Sequence, residues 1–142
     1  MFSRSAGYAV QALAYLATQP PGRLIGAREI ARATQIPMPF LWKILRNLSR
    51  KKLVRSFKGV RGGYELARAA ERISVRQILE AAHDRGRLAN CVLGLGPCDE
   101  RHPCVLHDSW TDVRTRMDSF LEETTLAELA TAHRPSRRRT RA

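Results

Sequence analysis

Three cysteines and two histidines sit in one short stretch, CVLGLGPCDERHPCVLH at 91–107. The candidate ligands for a soft metal are Cys91, Cys98, Cys104 and His107, and no cysteine occurs elsewhere in the chain. Thiolates select zinc, Cu(I) or iron–sulfur clusters, and imidazole suits zinc and iron. A structural zinc site favours cysteine pairs two to four residues apart, whereas the spacing here is C-x6-C-x5-C. Wide gaps of this kind suit a loop wrapped around a larger object, and an iron–sulfur cluster is the first expectation. Zinc and a thiol redox pair of Cys98 with Cys104 remain open. Three cysteines in a polar Gly/Pro-rich loop are poor candidates for buried core thiols. A helix beginning near Pro103 would set Cys104 and His107 one turn apart on one face, which favours His107 over His83, His102 and Asp108 as a fourth ligand.

The elements that must carry this loop follow from length, charge and periodicity. At 142 residues and 44% hydrophobic the chain has the size and composition of one soluble domain. No apolar run approaches the ~20 residues of a membrane span, and no signal peptide opens the chain. The expectation is a cytoplasmic protein with reduced thiols. The net charge of +12 is uneven. Residues 1–72 hold 14 Lys/Arg against 3 Asp/Glu, residues 73–133 hold 6 against 10, and residues 134–142 add five arginines and no acid. The first half is therefore suited to a polyanion.

Apolar spacing predicts helices at 5–18, 27–35 and 40–52, the last with Leu41, Ile44, Leu45 and Leu48 on one face. The prolines of "IPMP" predict an extended link before it. The period then changes to two short strands, 53–57 and 64–68, joined by the glycine hairpin KGVRGG at 58–63. Ser74 with Gln77 has the spacing of a capping box for a helix at 74–84. Residues 103–124 read as a long helix with Pro103 in its first turn. Its stripe is Leu106, Trp110, Val113, Met117, Phe120 and Leu121, and a short helix follows at 125–133.

Three helices and a hairpin are the order of a winged helix-turn-helix, a mainly α fold with a small β wing. The polar face of 40–52 carries Lys43, Arg46 and Arg50, placed for phosphates, while Pro39 to Lys43 at the helix start are placed for base edges. Trp42 suits either the core or the DNA edge. Arg28 on the second helix is a further DNA-side cation, and Lys58 and Arg61 flank the wing tip, where a narrow minor groove attracts cations.

The run IPMPFLWKILRNLSRKKLVRSFKGVRGGYELAR, then ISVRQILEA, three spaced cysteines and a helix containing HDSW, resembles the Rrf family of winged-helix transcription regulators, of the IscR/NsrR type. The resemblance runs from Tyr8 to about Leu129. It implies a homodimer that binds a partly palindromic double-stranded operator and holds one iron–sulfur cluster per subunit, 2Fe–2S or 4Fe–4S. It also implies that the helix at 103–124 forms the dimer interface. Cys91, Cys98 and Cys104 fall on the family's cluster cysteines and His107 on the IscR-type histidine. Pro39, Trp42, Lys43 and Lys58 fall on positions resembling the DNA-reading helix and wing. The six-residue first gap departs from the more usual five, and Trp42 stands where IscR-like proteins have an acid. The NsrR type can take an acid ligand near the N-terminus, but SAGYAV has none, which favours His107.

The resulting division is a winged helix-turn-helix at 1–84, a cluster-binding loop at 85–107, a dimerisation helix region at 103–133 and a basic disordered tail at 134–142. The expected function is a DNA-binding regulator whose operator affinity follows cluster status. The alternative is a zinc or metal-independent thiol regulator on the same module. An enzyme is not expected, because no nucleophile triad, phosphate loop or paired carboxylates are present.

Overall fold

The computed structural model describes residues 2–84 and 86–132. These form seven α-helices and one antiparallel hairpin: α1 (Arg4–Ala17), α2 (Ala27–Thr34), α3 (Met38–Arg50), β1 (Val54–Phe57), β2 (Gly63–Leu66), α4 (Val75–Ala81), α5 (Gly86–Ala89), α6 (His107–Glu123) and α7 (Leu126–Ala132). The expected basic tail lies outside the described residues. Among those that are described, no helix is long and apolar enough to cross a membrane.

Alanine-rich α1 is the central post. Ala9, Ala12, Leu13 and Leu16 pack with Ile30 of α2, Leu41, Leu45 and Leu48 of α3, Leu53 and Val54, and Ile78 of α4. Small side chains on α1 let three helices approach it together. Tyr15 donates to Glu29 Oε1 at 3.0 Å, and Arg23 pairs with the same carboxylate at 2.8 Å, so α1, the following turn and α2 share one polar anchor. Between α2 and α3 the chain turns at Gln35, in the left-handed region with φ 59°, and buries Ile36.

The helix before the wing starts earlier than the sequence predicts. Pro37 is its N-cap and Met38 is already helical, despite preceding Pro39. In the first turn the missing proline N–H has no intrahelical acceptor to lose, so the expected extended link shortens. The hairpin pairs Val54 with Leu66 and Phe57 with Gly63. Ile25 adds a third backbone segment, exchanging bonds with Tyr64 at 3.0 and 2.8 Å. Ser74 and Gln77 form the predicted capping box at the start of α4.

A second, smaller apolar cluster joins Ala6 of α1, Leu79 of α4, Leu88 of α5 and Leu121 of α6, with Phe2 and Met117 against it. Buried Asp84 adds a polar tie, accepting from the Ser3 backbone N–H at the start of α1. These contacts fasten both ends of the cysteine stretch to the helical core.

Gly63 lies where the wing meets Ile25, with φ 151° and an added Cβ only 2.8 Å from the Ile25 backbone. Gly63→Ala is therefore expected to lower unfolding stability by on the order of 2 kcal/mol, since neither backbone can yield without losing the bridge. Urea denaturation checks this; an unchanged midpoint would contradict the close approach.

Candidate metal and nucleic-acid sites

The cysteine stretch is built on a short backbone ladder. The Cys91 N–H donates to the Gly96 carbonyl at 2.9 Å and the Cys98 N–H to the Ala89 carbonyl at 3.2 Å, around a bridge between Asn90 and Pro97. Gly94 and Gly96 take φ 73° and 113°, conformations that glycine adopts without a Cβ clash and that close the turn. From α6, the Trp110 indole N–H donates to the Asn90 carbonyl at 3.1 Å, clamping the ladder to the helix. Trp110 reads in the sequence only as part of the apolar stripe; its polar edge gives no periodic signal.

The long helix begins at His107, not at Pro103, with Leu106 as its N-cap. Residues 104–107 instead form a turn closed by the His107 N–H on the Cys104 carbonyl at 3.0 Å. Cys104 and His107 are therefore not successive-turn neighbours on one helix face. Their side chains diverge: Cys104 Sγ lies 3.7 Å from Cys91 Sγ, and His107 Nδ1 lies 3.5 Å from Cys98 Sγ. The thiol pair suggested by sequence, Cys98 with Cys104, is not the one in contact. All three cysteines are free and half-buried.

Two ligands on one tetrahedral metal, at bonds of about 2.3 Å for sulfur and 2.0 Å for nitrogen, stand roughly 3.7 Å apart for S/S and 3.5 Å for S/N. Each pair is therefore spaced to share one tetrahedral metal, and equally to make the thiol–thiol or thiol–imidazole hydrogen bond that joins it here. Among the described residues no three His, Cys, Asp or Glu side chains converge as a site for a single ion. Of the rival ligands, His102 is exposed and 3.6 Å from Asp99, and Asp108 and His83 are exposed.

The Cys91 thiol is held below its ordinary pKa by hydrogen bonding from the Leu93 backbone, with smaller help from Leu95, Cys104 and Gly94; partial desolvation opposes the shift. The amides that shape the loop therefore also favour a thiolate there.

The basic surface is separate. Pro39, Trp42, Lys43, Arg46 and Arg50 are all exposed on α3, as are Arg28 on α2 and Lys58 and Arg61 at the wing. Trp42 is 57% exposed, which decides between its two readings: it is not a core residue. Lys58 and Arg61 bracket Val60, whose side chain stands free at the wing tip.

The α6 stripe divides. Leu121 is buried, Met117 packs on the small cluster and Trp110 holds the loop, whereas Leu106, Val113 and Phe120 remain exposed at seven-residue intervals.

A family model for Rrf2, described as iron-dependent transcriptional regulators, matches residues 2–132. An HTH-type transcriptional regulator of Aquifex aeolicus is 37% identical over 131 residues, covering 91% of this chain and 90% of the relative. Among solved structures, IscR of T. potens superposes with a TM-score of 0.73 at 25% identity, covering 93% of this chain and 87% of that one. CymR, the global cysteine regulator of B. subtilis, gives a TM-score of 0.79 at 21% identity, covering 94% and 98%, a likeness of fold.

A lowered Cys91 pKa means more thiolate at neutral pH than a free cysteine carries. In metal-free, reduced protein the pH profile of Cys91 alkylation, followed by peptide mass spectrometry, should have its midpoint below that of an unstructured cysteine peptide. A midpoint at or above the peptide's would contradict the amide-bonded loop.

Proposed function

The chain belongs to the Rrf2 family of winged-helix transcription regulators, and from that premise we propose that it is a DNA-binding regulator whose affinity for an operator is set by an iron–sulfur cluster. The observation that carries the reading is the pair of ligand edges, 3.7 Å for Cys91 with Cys104 and 3.5 Å for Cys98 with His107. Two edges with two ligands each match the terminal ligand set of a 2Fe–2S cluster better than that of one zinc ion. The family's description as iron-dependent and the likeness to IscR point the same way. Bound there, such a cluster supplies one-electron redox chemistry and reactivity toward oxidants, nitric oxide and iron withdrawal.

The protein's own part is to orient the ligands. The ladder at 89–98 positions Cys91 and Cys98, the 104–107 turn positions Cys104, and the start of α6 positions His107. The N–H groups around Cys91 favour its thiolate, the form that binds metal. Any change in loop order reaches α1 through Leu88, Leu121 and Ala6, and α1 is packed on α3, the helix proposed to enter the major groove. Pro39, Trp42 and Lys43 meet base edges in this reading, Arg28, Arg46 and Arg50 meet phosphates, and Lys58 and Arg61 lie in the flanking minor groove. A second copy of the chain pairs along α6 through Leu106, Val113 and Phe120, a seven-residue repeat suited to a helix–helix seam.

A second reading uses the same 3.7 Å approach without metal. Oxidation by a peroxide would join Cys91 and Cys104 in a disulfide, the two thiols giving up two electrons and two protons.

Binding of fluorescent duplexes selected from a random pool tests the first reading. Protein purified without oxygen and its metal-free form should differ in affinity by about 5- to 150-fold, the usual span of allosteric coupling. His107→Ala should shrink that difference. Equal affinities would contradict cluster control, and a difference that follows peroxide treatment of metal-free protein would favour the disulfide. Phe120→Glu should shift the mass measured by light scattering from dimer to monomer; an unchanged mass would remove α6 as the seam.

A further inference from the structure

The exposed side of α3 can donate hydrogen bonds and offer apolar surface, but it has little with which to accept. Lys43, Arg46 and Arg50 are donors only, and no carboxylate occurs anywhere from Ile30 to Tyr64. Asn47, the helix's one amide, is half-buried and its Oδ1 already accepts from Arg50 Nη2 at 2.8 Å. Ser49 is half-buried near the helix end. Such a face cannot reward the amino groups of adenine or cytosine. In the major groove it can meet the acceptors of guanine and thymine, and the one apolar feature on any base edge, the thymine methyl.

Trp42 is the side chain on this face with no other use. Phe40, on the opposite flank of α3, packs against Tyr8 in a tilted pair, ring centroids 6.1 Å apart and planes at 58°. Trp42 belongs to neither apolar cluster, yet leaves more than half of itself in solvent. It sits in the second turn, one turn before Arg46 and beside Lys43, so cationic donors flank its ring. The exposed apolar residues of the hairpin, Phe57 and Val60, do not compete for the same feature, because the minor groove presents no methyl.

We propose that Trp42 is a specificity-determining residue that reads a thymine methyl in the major groove, with Lys43 donating to the acceptors of a neighbouring guanine or thymine. The inference rests on the DNA-binding reading above and adds the class of base that α3 selects.

The test uses full-length protein and a duplex selected from a random pool by the wild type. Each thymine of one half-site is replaced in turn by deoxyuridine, which removes the methyl and changes no hydrogen-bonding group. Wild type should lose about fourfold in affinity at one such position, the worth of a buried methyl group. Trp42→Ala should bind more weakly and respond to that replacement by less than twofold, with an unchanged thermal midpoint. Indifference of the wild type to every replacement would overturn the proposal, as would an equal loss in Trp42→Ala, which would assign the methyl to another residue. A wild type that selects no sequence, and binds selected duplex no better than random duplex, would instead sink the DNA-binding reading itself.

Discussion

The contact on which the rest depends is the small apolar joint of Ala6, Leu79, Leu88 and Leu121. It is where the first helix of the DNA-binding unit, the helix after the wing and the two helices bracketing the cysteine loop meet. Each fully buried leucine of this kind contributes about 1.5–3 kcal/mol, enough to hold the loop's ends while leaving its middle to backbone hydrogen bonds. The Asp84 carboxylate adds a polar tie from the end of α4 to the start of α1. The joint links the cysteine loop to α3 by two paths: Ala6 lies on the same face of α1 as Ala9 and Leu13 of the main core, and Leu79 shares α4 with Ile78 and Ala81, which pack in that core with α3.

The loop also solves a local problem. Three thiols and an imidazole cannot be placed by core packing, because the residues around them, Val92, Leu93, Leu95 and Val105, are exposed. The ladder between 89–91 and 96–98, the Trp110 clamp and the 104–107 turn place them instead. These are all backbone-directed bonds, so the sequence need specify only two permissive glycines, a proline and one indole. The same bonds set the electrostatics, since the amides that close the turn at Cys91 lower its pKa.

Much of the fold was legible in the sequence because periodicity is a direct record of burial. Leu41, Ile44, Leu45 and Leu48 announce α3, and all four are buried. The change to alternating residues and glycines announces the wing, and Ser74 with Gln77 announces α4. What escaped has specific causes. Ile25 joins the hairpin as a single bridge, too short to leave a pattern. The start of α6 was misplaced because Pro103 suits a first helical turn but here precedes a tight turn that aims Cys104 at Cys91. The stripe of six apolar residues on α6 reads as one face in sequence. In space it is two, because Trp110, Met117 and Leu121 are used within the chain, and only Leu106, Val113 and Phe120 stay exposed. The four candidate ligands stand out in the sequence as a set, but their contacts do not, since spacing along a loop does not determine which side chains meet.

The most direct test of the central claim, that the four ligands form two metal-binding edges, is the metal content of protein purified without oxygen, read together with its Mössbauer spectrum. The account predicts two irons and two acid-labile sulfides per chain, with two inequivalent iron sites reporting the Cys/Cys and Cys/His ligand pairs. A single zinc per chain, or colourless protein without iron, would contradict it.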